Sequence, residues 1–80
     1  MKIKLVTIAD VQNFVAANIR SNVDITLRSG KYAVDGKSIL GIFSLDLMQP
    51  IDIDVVAAND DDVNKYFETI SSFIVGDKYE

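Results

Sequence analysis

Apolar residues along this chain recur with two periods, every second residue in some stretches and every third or fourth in others. The switches between them predict the elements. From Lys2 to Ile8, Ile3 and Leu5 alternate with Lys2 and Lys4, which predicts a half-buried strand with Thr7 on the face of Ile3 and Leu5. From Asp10 to Arg20 the spacing becomes helical: Val11, Phe14, Val15, Asn18 and Ile19 form one stripe, with Gln12, Asn13 and Ala17 on the other side. Asp10 is placed to cap or neutralise the start of that helix, and Arg20 suits its end.

Val23, Ile25 and Leu27 alternate with Asp24, Thr26 and Arg28 in a second strand, and Ser29-Gly30 turns the chain into a third, Lys31 to Val34. Asp35-Gly36 breaks that strand, and Ser38 begins a short helix that runs to about Met48 before Gln49-Pro50 closes it. Ile51, Ile53 and Val55 then alternate with Asp52 and Asp54, predicting a strand with an apolar face inward and a carboxylate face in solvent. Asn59 to Asp62 precede a long last helix whose core stripe is Val63, Tyr66, Phe67, Ile70, Phe73 and Ile74; Gly76 ends it, and Asp77 to Glu80 form a frayed tail.

The order β-α-β-β-α-β-α predicts an α+β fold, an open-faced β-sandwich in which a four-stranded antiparallel sheet is covered on one face by three helices. No repeat or linker divides residues 1–80, so they read as a single domain. A chain of this length buries only about 60% of its unfolded surface. With no cysteine to supply a disulfide or a thiolate metal site, packing alone must hold it. The net charge of −4 gives no general attraction to nucleic acid or anionic lipid. No apolar run is as long as a membrane span, and the alternating Met1–Ile8 stretch reads as strand rather than targeting signal, so a cytoplasmic protein is expected.

Catalytic and metal chemistry find little support in the residues. Asn59 to Asp62 lack the spaced ligands, central glycine and terminal glutamate of a calcium loop, and suit the positive end of a helix dipole instead. Asp52 and Asp54 resemble a carboxylate pair but belong to the solvated face of an amphipathic strand. There is no glycine-rich phosphate loop, no metal-ligand cluster and no nucleophile with a plausible base, so neither an enzyme nor a cofactor is expected. The short helix is different, because Ile39, Leu40, Ile42, Phe43, Leu45, Leu47 and Met48 exceed one buried stripe. With Ile42 and Leu45 toward the core, Ile39, Phe43 and Leu47 form an exposed ridge with Leu40 beside it. That ridge is a docking surface, or it is covered by the first helix or a second copy of the chain.

The segment Lys37-Ser38-Ile39-Leu40-Gly41-Ile42-Phe43-Ser44-Leu45 resembles the regulatory-serine region of the HPr phosphocarrier family, K-S-I-M-G-V-M-S-L, matching at six of nine positions. Ile51-Asp52-Ile53 and Asn59-Asp60-Asp61 resemble that family's last strand and the polar approach to its last helix, and the element order agrees throughout. The resemblance implies an HPr-like fold. It marks Ser38 as a phosphorylation candidate, besides its simpler reading as a helix cap. It also implies a protein partner at the Ser38 helix through Ile39, Leu40, Phe43 and Leu47, of the class of a serine kinase or transcriptional regulator. The family's phosphorylated histidine lies in a G-[IL]-H-A-R-P-A segment where this chain reads Val6-Thr7-Ile8-Ala9-Asp10-Val11, and the chain has no histidine at all. Thr7 falls at the histidine and Ala9 at the arginine, which leaves no imidazole nucleophile and no guanidinium to hold phosphate. The expectation is a non-catalytic binding or regulatory relative of the sugar phosphotransferase system without histidine phosphocarrier activity. The alternative is an interaction domain that keeps the fold with no role in sugar transport.

Overall fold

In the computed structural model, which describes residues 1–76, the chain runs β1 (Lys2–Ile3), α1 (Ile8–Arg20), β2 (Asp24–Ser29), β3 (Tyr32–Asp35), α2 (Ile39–Phe43), β4 (Ile51–Val56) and α3 (Asp60–Thr69). A 3₁₀ turn over Ser71–Phe73 and a last strand, β5 (Ile74–Gly76), follow. The strands form one antiparallel sheet in the order β3-β2-β4-β1-β5. Register explains which face is buried. Leu27 lies opposite Ile53 and Ile25 opposite Val55, while Arg28 faces Asp52 and Thr26 faces Asp54 on the other side of the pleat. Ile25, Leu27, Ile51 and Ile53 are buried with Val11, Phe14 and Val15 of α1 and with Ile42, Tyr66 and Ile70. The opposite sheet face carries the ion pairs Lys2–Asp52 (2.7 Å) and Arg28–Asp54 (2.5 Å), both exposed, which places Asp52 and Asp54 on the solvated face as their alternation predicts.

Gly30 stands first of the two residues that join β2 to β3, at φ 60°, a conformation that side chains with a Cβ seldom adopt. This turn fixes the register of the hairpin, and with it the position of the segment from Asp35 to Ser38 that hangs from β3.

The larger departures from the boundaries read in the sequence each have a local reason. The first strand stops at Ile3 although Leu5 is buried too, because the backbone of Val6 and Thr7 turns to begin α1. That helix starts at Ile8, two residues before the expected Asp10, and its cap is Thr7. The short helix ends at Phe43 rather than Met48: the Ser44 hydroxyl donates to the Gly41 carbonyl, and the Asp46 carboxylate accepts from the Met48 N–H, so side chains take over the bonds a helix needs. The Lys4 ammonium also donates to the Met48 carbonyl and holds this turn against the first strand. Finally, the last helix stops at Thr69, and Ile74–Gly76 pairs with β1 as a fifth strand where four were expected. Gly76 therefore lies in a strand instead of ending a helix, and the tail Asp77–Glu80 lies outside the described residues.

The stripe of α1 is also rotated slightly. Val11, Phe14, Val15 and Asn18 are buried as their spacing predicts, but Ala17 is buried and Ile19 is 62% exposed, the reverse of the expected flanks. Both sit at the edge of the stripe. The side that α3 approaches is the one with Ala17, which lines a shared groove with Tyr66 of α3.

Candidate functional site

Two helix starts carry the residues that the sequence singles out. At the first, the Thr7 Oγ1 accepts from the Asp10 N–H at 3.0 Å, and the Asp10 carboxylate accepts in return from the N–H groups of Val6 (2.9 Å) and Thr7 (3.2 Å). This reciprocal cap satisfies the orphan donors at the helix start with the chain's own groups. The Val6 N–H, then the Thr7 N–H, hold the exposed Asp10 carboxyl below its ordinary pKa. The result is a fixed negative charge beside Thr7, at the end of the helix where an incoming phosphoryl group would also be drawn. Ala9, one residue earlier than Asp10, contributes only an exposed methyl.

At the second, exposed Ser38 caps α2: its Oγ accepts from the Gly41 N–H at 3.1 Å, and its carbonyl accepts from the Ile42 N–H at 3.0 Å. Gly41 leaves this cap little room, since a Cβ there would come within 3.1 Å of the Ser38 Oγ. The segment leading into the cap is also bonded, with the Lys37 N–H donating to the Asp35 carboxylate and the Ser38 N–H to the Asp35 carbonyl.

The apolar residues around this cap divide unevenly. Ile42 is fully buried and Leu45 nearly so, as expected. Leu40 is 80% exposed and Phe43 41% exposed, so both present apolar surface. Ile39 and Leu47, however, are half-buried and pack against the core, and Leu47 lies in the turn after α2 rather than on the helix. The regular ridge Ile39–Phe43–Leu47 is therefore corrected to a patch formed by Leu40 and Phe43 on the helix. Met48 is exposed too, in the following turn. Leu47 leaves the ridge because α2 ends at Phe43, whereas Ile39, at the start of α2, packs against the core itself.

Sequence reasoning missed one cluster next to the Ser38 segment. Asn18 of α1 is fully buried; its Nδ2 donates to the Gly36 carbonyl at 2.6 Å, and its Oδ1 accepts from the Tyr66 hydroxyl of α3, also at 2.6 Å. Burial pushes the Tyr66 phenol pKa well above its ordinary value, so it remains a donor throughout the neutral range. Gly36 is shaped to this arrangement. A Cβ on it would lie 2.5 Å from Ile25 Cγ2 and 3.2 Å from Asn18 Nδ2. The available signal was an asparagine inside an apolar helical stripe, where a polar side chain must find partners.

Asp60–Asp62 form the acidic first turn of α3, which Asn59 caps by accepting from the Asp62 N–H. No helix among the described residues is long and apolar enough to cross a membrane.

No family model matches the sequence, and no curated protein matches it either. Among solved structures, the chain is similar to Crh, the catabolite repression containing protein of Bacillus subtilis. The TM-score is 0.64 and the identity 18%, over 95% of this chain and 90% of that one. Crh is an HPr-like protein of the phosphocarrier family, and a match of this extent at this identity speaks to architecture. With an antiparallel sheet under three helices and a capped helix start at both Thr7 and Ser38, the chain has the HPr-like fold.

Proposed function

We propose that this chain is a non-catalytic, protein-binding or regulatory relative of the sugar phosphotransferase proteins, acting in the cytoplasm by contact through α2 and without histidine phosphocarrier activity. The observation that carries the reading is the start of α1. Where the resemblance puts a nucleophilic histidine followed by an arginine, this chain has Thr7 in a closed capping box with Asp10, and Ala9. The base beside the Thr7 hydroxyl is the Asp10 carboxylate, which is held by the Val6 and Thr7 N–H groups below its ordinary pKa and is therefore a poor proton acceptor, and its charge would repel a phosphoryl donor. The contact surface is Leu40 and Phe43, with half-buried Ile39 and Leu47 at its margin. Ser38 lies on the same short helix, exposed, where a phosphate would add charge to the rim of that surface. A partner of the class of a serine kinase or a transcriptional regulator fits it.

An HPr-type serine kinase with ATP separates this reading from that of an interaction domain unrelated to sugar transport. Phosphate on Ser38, absent from Ser38→Ala, supports the regulatory reading. A kinase that phosphorylates HPr in the same tube but leaves this chain unmodified supports the alternative.

A further inference from the structure

The buried contact between Asn18, Tyr66 and Gly36 reaches the chain two residues before Ser38. Three elements meet there: α1 supplies Asn18, α3 supplies Tyr66, and the connection from β3 to α2 supplies the Gly36 carbonyl. The direction of the bonds is dictated by chemistry. A carbonyl can only accept, so the asparagine must turn its Nδ2 to Gly36, and its Oδ1 is then left for the phenol, which can donate. No buried side-chain nitrogen or oxygen among the described residues is left without a partner. Gly36 is pinned from both ends, because its N–H also donates to the Ile25 carbonyl at 2.8 Å, and its missing Cβ lets Ile25 and Asn18 close on it. From this fixed peptide the chain reaches Ser38 in two residues, each with its own bond to Asp35.

We propose that Asn18 and Tyr66 are positioning residues for the Ser38 helix. They hold the Gly36 peptide so that the cap of α2, with Leu40 and Phe43 behind it, is presented in one place. The importance of that presentation rests on the reading of α2 as the contact surface; the positioning itself does not. α2 has only five residues, too few to be stable by its own hydrogen bonds, so its location depends on what holds its ends. The end after Phe43 is held by the Ser44 and Asp46 side chains, and the end before Ser38 by Asn18 and Tyr66.

The test is amide hydrogen exchange by NMR on the whole chain, comparing Tyr66→Phe with Ile3→Val, a core change in β1 that shares no hydrogen bond with the three residues. In Tyr66→Phe, the amides from Gly36 to Ile42 should lose protection about five- to tenfold more than those of β2 and β4. In Ile3→Val the segment from Gly36 to Ile42 should lose no more protection than β2 and β4. Should Tyr66→Phe fail to fold, the double variant Asn18→Leu/Tyr66→Phe removes both side-chain partners, leaves no unpaired side-chain amide, frees only the Gly36 carbonyl, and should show the same local loss. Equal loss in every element, or unchanged protection of Gly36–Ile42, overturns the proposal, because the three residues would then be core packing alone. The measurement needs no partner. Its failure refutes positioning, whereas failure to find a kinase or binding protein refutes only the function proposed for α2.

Discussion

Stability and binding should separate within α2, and the burial of four neighbouring apolar residues sets by how much. Ile42 is fully buried and Leu45 7% exposed, so truncating either to alanine leaves a cavity and should cost about 2–5 kcal/mol. Leu40 is 80% exposed, and only a small part of the roughly 1.5–3 kcal/mol for burying a leucine is at stake; Leu40→Ser should cost a few tenths. Phe43 lies between, with 41% of its surface exposed and the rest against its neighbours, so Phe43→Ser should cost about 1–2 kcal/mol. The order Ile42 and Leu45, then Phe43, then Leu40 is measurable by urea denaturation at constant slope. A partner's affinity, by isothermal titration, should follow the opposite order, with Leu40→Ser losing binding while the fold is intact. If Leu40→Ser unfolds the domain as severely as Ile42→Ala, or if it binds like the unmodified chain, the assignment of an outward contact face to α2 is wrong.

Three further expectations rest on separate observations. Gly36→Ala should destabilise by about 1–3 kcal/mol, because the added methyl meets Ile25 at 2.5 Å; a neutral or stabilising result in chemical denaturation would contradict the packing around Asn18. Ser38→Ala should cost about 0.5–2 kcal/mol as a lost cap, and Ser38→Asp should keep most of that stability; equal stability of all three chains would show that the Gly41 N–H does not depend on the side chain. Asp10 has its pKa depressed in the folded state, so its contribution is present above the ordinary aspartate range and disappears as pH falls through the depressed value. The stability gap between the chain and Asp10→Asn should therefore be open at pH 7 and close in acid; a gap independent of pH would show that the charge plays no part in the cap.

What could be read in the sequence was what local periodicity determines. Ile51-Asp52-Ile53-Asp54 shows both its buried and its solvated face, because the side-chain period of a strand and the ion pairs with Lys2 and Arg28 impose the same alternation. Val23, Ile25 and Leu27 behave in the same way. The fifth strand was hidden because Ile70, Phe73 and Ile74 keep helical spacing, while the open edge of β1 that recruits Ile74–Gly76 belongs to the tertiary structure. Phe73 still reaches the core from the 3₁₀ turn, its ring edge-on to Phe14 at 5.8 Å. Ser38 was visible as a cap, and Leu40 as a surface residue. The burial of Leu47 was not, because the helix ends early where the Ser44 and Asp46 side chains bond the backbone, and that of Ile39 was not, because it depends on how α2 sits against the core. The contact among Asn18, Gly36 and Tyr66 joins residues up to 48 positions apart, and only their odd setting in apolar or turn sequence hinted at it.

The central claim is that the fold persists here without the chemistry of a phosphocarrier, and phosphoryl transfer tests it most directly. The chain is incubated with phosphoenolpyruvate and the sugar-transport enzyme that charges HPr, with HPr as the positive control, and its intact mass is measured at neutral pH and again after acid treatment. The account predicts no phosphoryl adduct on this chain while HPr is fully charged. A stoichiometric adduct, at Thr7 or any other residue, would contradict it.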